Sequence, residues 1–237
     1  MTEADNDSDN WLTCNDAGAL GGILAGLAFH GWPEVTARKV ALCEVACARL
    51  VAHLFTSDIQ ARTVELAEAA ADAPAYPLST YPAIKAYFEE YGPAPDFLPL
   101  PPKDPLTNAA WEVAANLAYP ERPGPQVRQV GGRAATLAAI AAGDPETNPE
   151  NQPQVMLIRE IFGNPFRPVA ADRAWLSPTV VALAAAIYHQ RAFDRMPVLA
   201  DALEEAGCAN ADVLLHCRQP GEHVRGCWVV DVVLGKE

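Results

Sequence analysis

Apolar residues recur along this chain at spacings of three and four almost throughout, the period of a helix that buries one face. Beyond the turn at Trp32-Pro33, the positions Val40, Cys43, Cys47, Leu50 and Leu54 fall on one such stripe. Ser57 or Asp58 is placed to cap the next helix, which runs through Val64 and Leu66 to the alanines near position 70. Further on, Ser177-Pro178 offers a cap followed by proline in the first turn, where a missing amide costs nothing. The helix beyond carries Val181, Leu183, Ala184, Ile187 and Tyr188. Another starts near Pro197 and stops at Gly207, the residue best suited to a left-handed end. Only Trp228 to Leu234, WVVDVVL, departs from the helical period, and its β-branched run predicts a short strand as the alternative to a helix. The pattern predicts a mostly α fold, an irregular helical bundle with that segment as its least helical part.

Proline divides the bundle. Nine of the 21 prolines fall between Pro74 and Pro105, and six more between Pro120 and Pro153. Proline lacks the amide donor and restricts its predecessor, so neither stretch forms a long helix or a central strand. Four parts follow: an acidic, disordered tail over residues 1–10, an N-terminal helical segment over 11–73, a proline-rich middle over 74–149, and a C-terminal helical segment over 150–237. Within the middle, Thr107 is placed to cap a short helix with Trp111 and Leu117 on its inner side. Gly18, Gly22 and Gly26 share one helix face, and three glycines there predict close approach by another backbone.

Charge and compartment narrow the function. Thirty acids against 17 bases give a net charge of −13, which opposes sequence-independent binding to nucleic-acid phosphates or to an anionic membrane. The first ten residues carry four acids and no base, unlike a secretory leader. The longest uncharged apolar stretch, Ala17 to Phe29, is 13 residues, against the roughly 20 that a spanning helix needs. A cytoplasmic protein with free thiols or metal-ligating thiols is the expectation.

Candidate chemistry gathers at the C-terminus, where Cys208, His216, Cys217, His223 and Cys227 lie within 20 residues. Of these, Cys208, Cys217, His223 and Cys227 form the candidate metal set, with enough sulfur and imidazole for tetrahedral zinc. His223 and Cys227 are four apart, so a helix would point them the same way, and Gln219-Pro220-Gly221 would turn Cys217 toward them. The spacing is not that of a zinc finger or ribbon, and buried cysteines often serve only as small hydrophobes. Cys217 or Cys227 with His223 and Asp231 also supplies the residue types of a thiol hydrolase. Cys43 and Cys47 share a face but His53 points elsewhere, so that group reads as core. The loop from Phe162 to Pro168, FGNPFRP, is stiff and apolar: exposed, its Phe162, Phe166 and Arg167 would anchor a protein partner; buried, they would pin the C-terminal helices.

The segments IREIFGNPFRPV (158–169), AIYHQRAFDRMPVLADALEEAGC (186–208) and ADVLLHCRQPGEHVRGCWVVDVVLGKE (211–237) resemble the shared C-terminus of a large paralogous family of uncharacterised planctomycete proteins. WLTC (11–14) and the cysteine-bearing helix ending at His53 resemble that family's start. The resemblance implies no activity, cofactor or catalytic residue. With no G-x-S-x-G, H-E-x-x-H or glycine-rich phosphate loop in the chain, the expectation is a non-catalytic helical interaction or regulatory module with a protein partner. The alternative is a small enzyme or zinc-binding protein that uses the C-terminal Cys/His cluster.

Overall fold

A computed structural model of the chain describes residues 3–73 and 151–236, with a scatter of helical positions between 110 and 142. The described residues are mostly helical and contain no strand. The helices are α1 (Glu3–Thr13), α2 (Ala17–Phe29), α3 (Ala37–Leu50), α4 (Asp58–Ala71), α5 (Asn151–Phe162), α6 (Pro178–Gln190), α7 (Met196–Glu205), α8 (Ala211–Arg218) and α9 (Trp228–Leu234). None of them is long and apolar enough to cross a membrane. Two compact units emerge, Asn10–Ile158, and Arg159–Glu237 together with Met1–Asp9. The stretch expected to be a disordered tail is helical from Glu3, and Ser8 within it is fully buried, its hydroxyl accepting from Asn164 Nδ2 at 2.8 Å. Thr107 and Trp111 lie outside the described residues, whereas Leu117 is helical and buried.

In the Asn10–Ile158 unit, α3 packs against α4. The expected single stripe on α3 is instead burial on every side from Ala41 to Ala48, with Val40, Leu50 and Leu54 only half-buried. Small side chains at Ala41, Cys43, Ala46, Cys47 and Ala48 let neighbours close round the whole helix. Arg49 to Glu68 (2.9 Å) and Arg38 to Asp72 (3.0 Å) tie α3 to α4. Ser57 caps α4 in a reciprocal box with Gln60, which satisfies amides that the first turn leaves free. Asn151, at the start of α5, clamps the start of α2: its Oδ1 accepts from the Ala17 amide and its Nδ2 donates to the Asn15 carbonyl. Among the described residues the expected backbone approach at the α2 glycines is absent, because a Cβ at Gly22 or Gly26 would meet none of them within 4 Å.

The C-terminal unit is built on α6 to α9, with α6 packed on α7 and α9, and α7 on α8. Ile187, Tyr188, Leu199, Leu203, Val229 and Val230 are among the side chains buried in its core. Ser177 caps α6 ahead of Pro178. Gly207, at φ +92°, closes α7 while the Cys208 amide reaches back to the Leu203 carbonyl. Residues 228–234 form helix α9, not a strand. Helical pitch sends Val229, Val230 and Val233 into the core together, whereas a pleated strand would turn Val230 to the face opposite the other two. Burial of three valines outweighs a β preference spanning only about 1 kcal/mol.

Gly26→Ala, at an exposed helical site with open space around it, should stabilise by about 0.4–1 kcal/mol in denaturant unfolding. Glu44 on α3 is buried, its Oε1 has no hydrogen-bond partner among the described residues, and burial pushes its carboxyl up to about 8. The folded form therefore holds a proton that the unfolded chain releases near its ordinary value. Stability contributed by this group is present below the unfolded pKa and falls as pH rises toward about 8. Unfolding free energies at pH 5 and pH 8.5 should show that fall in the natural protein and a smaller one in Glu44→Gln.

Candidate metal centre

Two elements and one connection of the C-terminal unit supply the site. On α8, Val213 and Cys217 are four apart and turn into the apolar core. His216, one residue earlier than Cys217, is rotated by about 100° and so faces another way. On α5, Glu160 is also buried, and His223 and Cys227 come from the connection between α8 and α9. Ligand atoms of Glu160, His216, His223 and Cys227 all lie within 4.8 Å of one another, and all four side chains are buried. Of the candidate metal set, His223 and Cys227 are in this group. Cys208 and Cys217 are not; both sit in the hydrophobic core. His223 and Cys227 also do not share a helix, because Gln219 ends α8 and α9 begins only at Trp228. The turn after Gln219, not helical pitch, brings them together.

Glu160 is the hub. His223 Nδ1 lies 3.0 and 3.1 Å from its two oxygens, and His216 Nε2 lies 3.2 Å from Oε2. Burial acts to raise the Glu160 pKa, but the hydrogen bonds from His216 and His223 outweigh it and hold the carboxyl below its ordinary value. An ionised carboxylate only accepts, so His223 Nδ1 carries a proton. His223 Nε2 is then buried with no hydrogen-bond partner among the described residues. His216 Nε2 is also 3.2 Å from Cys227 Sγ. Trp228 Nε1 donates to His216 Nδ1 at 3.0 Å, and Gln219 Nε2 lies 3.4 Å from the same nitrogen. An indole N–H can only donate, so Nδ1 is bare and the proton of neutral His216 sits on Nε2.

That tautomer opposes thiol catalysis. A base for Cys227 needs an unprotonated nitrogen facing the sulfur, and His216 presents N–H. Burial first, and then the Glu160 charge, push the Cys227 thiol well above its ordinary pKa. Cys217 is pushed up to about 12 for the same reasons. The acid that meets His223 is Glu160, at 3.0 and 3.1 Å. On α3, Cys43 and Cys47 are buried, and the hydrogen bond that Cys43 donates to Cys47 together with burial raises the Cys43 thiol, while His53 is exposed on a separate turn. These too are packing groups.

The FGNPFRP loop is what seats Trp228. Gly163 takes φ +62°, and a Cβ there would come 3.1 Å from Trp228 Cγ. Asn164 Oδ1 accepts from the Phe166 amide at 3.1 Å and so tightens the turn. Phe162 is buried at the end of α5, Phe166 is half-buried and Arg167 exposed. The three therefore do not form an exposed trio of anchors. The fold and this cluster define a mostly helical protein with a buried Glu/His/His/Cys cluster among the described residues. No protein-family model, curated protein or solved structure matches the chain.

Gly163→Ala is expected to destabilise the C-terminal unit by more than about 1–2 kcal/mol. A left-handed residue with a Cβ costs that much before the contact with Trp228 is counted. Denaturant unfolding of this variant beside the natural protein measures it.

Proposed function

We propose that the protein is a zinc-binding helical module in which Glu160, His216, His223 and Cys227 hold one structural ion. The observation that carries this reading is the convergence of four buried side chains of ligand type on one point. A tetrahedral ion with bonds of about 2.0–2.3 Å separates its ligand atoms by roughly 3.3–3.8 Å. His216 Nε2 is 3.2 Å from both Glu160 Oε2 and Cys227 Sγ, and the four ligand atoms lie at most 4.8 Å apart, which is on that scale. Sulfur and imidazole favour zinc over magnesium or calcium, which take oxygen.

Charge balance supports the same reading. A carboxylate and a thiolate together neutralise a divalent cation, and a neutral assembly is what a low-dielectric interior tolerates. Four protein ligands leave no open position, which makes the ion structural and not catalytic. The orphaned His223 Nε2 adds to this, since hydrogen bonding within the cluster leaves one ring nitrogen unmet. The module is accordingly non-catalytic, and the ion fixes α5, α8 and the start of α9 to one another.

Protein purified without a histidine tag should contain close to one zinc per chain by elemental analysis. A chelator should lower its Tm, and excess zinc should restore it, by about 2.7 kcal/mol at a free concentration of 100 Kd. Cys227→Ser and His223→Ala should each weaken zinc binding more than about 100-fold, since even outer contacts to a metal ligand are worth 10–100-fold. Cys208→Ala should bind like the natural protein. Absence of zinc, with a Tm indifferent to both chelator and zinc, would contradict the reading.

A further inference from the structure

The contact between Trp228 and His216 has a consequence for any ion at this centre. Trp228 Nε1–H donates to His216 Nδ1 at 3.0 Å, and His216 Nε2 is the ring atom that faces Glu160 and Cys227. A ring nitrogen cannot both carry a proton and bind a metal. A neutral histidine that ligates through Nε2 carries its proton on Nδ1 and donates it to an outer partner. Here the group facing Nδ1 is an indole, which has no lone pair in the ring plane to accept that proton.

We infer that Trp228 competes with the metal ion for His216, so that loading the centre moves the ring proton from Nε2 to Nδ1 and breaks the Trp228 hydrogen bond. This rests on the metal-centre reading and adds a residue that sets affinity without touching the ion. The ring stays neutral throughout; one N–H is lost and one gained. Gln219 is the group able to follow the change. Its side-chain nitrogen lies 3.4 Å from Nδ1, and rotation of the amide by half a turn presents the oxygen as an acceptor instead. Gln219 is exposed, so this rotation is sterically free. Trp228 also packs on Gly163, and release of its hydrogen bond is therefore transmitted to the FGNPFRP turn.

The two neighbours of Nδ1 then have opposite effects. Trp228→Phe keeps an aromatic ring against Gly163 but removes the donor that favours the unloaded tautomer. Zinc affinity of the full chain, measured in competition with a chromophoric chelator, should tighten by about tenfold, the equivalent of one net hydrogen bond. Gln219→Leu removes the acceptor of the loaded tautomer and should weaken affinity several-fold. Opposite signs separate a tautomer effect from a general loss of packing, which would weaken both. Equal or weaker binding by Trp228→Phe, in a natural protein that binds one zinc, overturns the inference. Failure of the natural protein and both variants to take up zinc overturns the metal-centre reading, and the inference with it. Nitrogen NMR of the natural protein is independent of variant folding: zinc should move the His216 proton to Nδ1 and shift the Trp228 indole N–H. An Nε2–H tautomer that persists in zinc-saturated protein overturns the proposal.

Discussion

A carboxylate removed from water must be met by donors or by a cation, and the C-terminal unit is arranged around that requirement at Glu160. With 4% of its surface exposed, Glu160 receives one imidazole from α8 and another from the connection that follows it. An uncompensated buried charge would cost several kcal/mol, a large part of the 5–15 kcal/mol that holds a domain folded. The two histidines are therefore conditions of the fold as well as candidates for chemistry. Their donation keeps the carboxyl ionised, which is the form that binds a metal.

From this hub the constraint passes outward through directional contacts. A neutral His216 donates to Glu160 through Nε2 only with its other nitrogen bare, and the indole N–H of Trp228 fits that tautomer. Trp228 in turn lies against Gly163, where a side chain of any size would displace it. Asn164, beside that glycine, shapes the turn with its oxygen and reaches Ser8 on α1 with its nitrogen. Phe162, Pro165 and the buried valines of α9 exclude water from this end of the unit. A sequence that reads as a stiff aromatic loop is thus the support for one hydrogen bond to one histidine.

Much of the fold was legible because helices announce themselves locally. Ser57, Ser177 and Gly207 mark ends that depend only on neighbouring amides and carbonyls, and each acts as its residue type predicts. The helical period also survived in α6 and α7, where one face is buried. It failed on α3, whose small side chains allow burial all round, and on α9, where tertiary packing overrode the preference of valine for strands. The α2 glycines misled because permissive backbone was read as crowding, while open space surrounds Gly22 and Gly26.

The candidate site was legible in part. His223 and Cys227 stood out through composition and proximity in sequence, although the reason given, a shared helix, was not the one the fold uses. Glu160 carried no signal: it lies two residues before the FGNPFRP loop and 56 or more residues from each of its partners, and a lone glutamate on a helix reads as surface charge. His216 was visible but adjacent to Cys217, and only the helix phase decides which of the two faces the carboxylate. Zinc X-ray absorption on the loaded, untagged protein tests the central claim most directly. The account predicts a first shell of one sulfur near 2.3 Å and three nitrogen or oxygen atoms near 2.0–2.2 Å. A shell without sulfur, or with two or more, would contradict it.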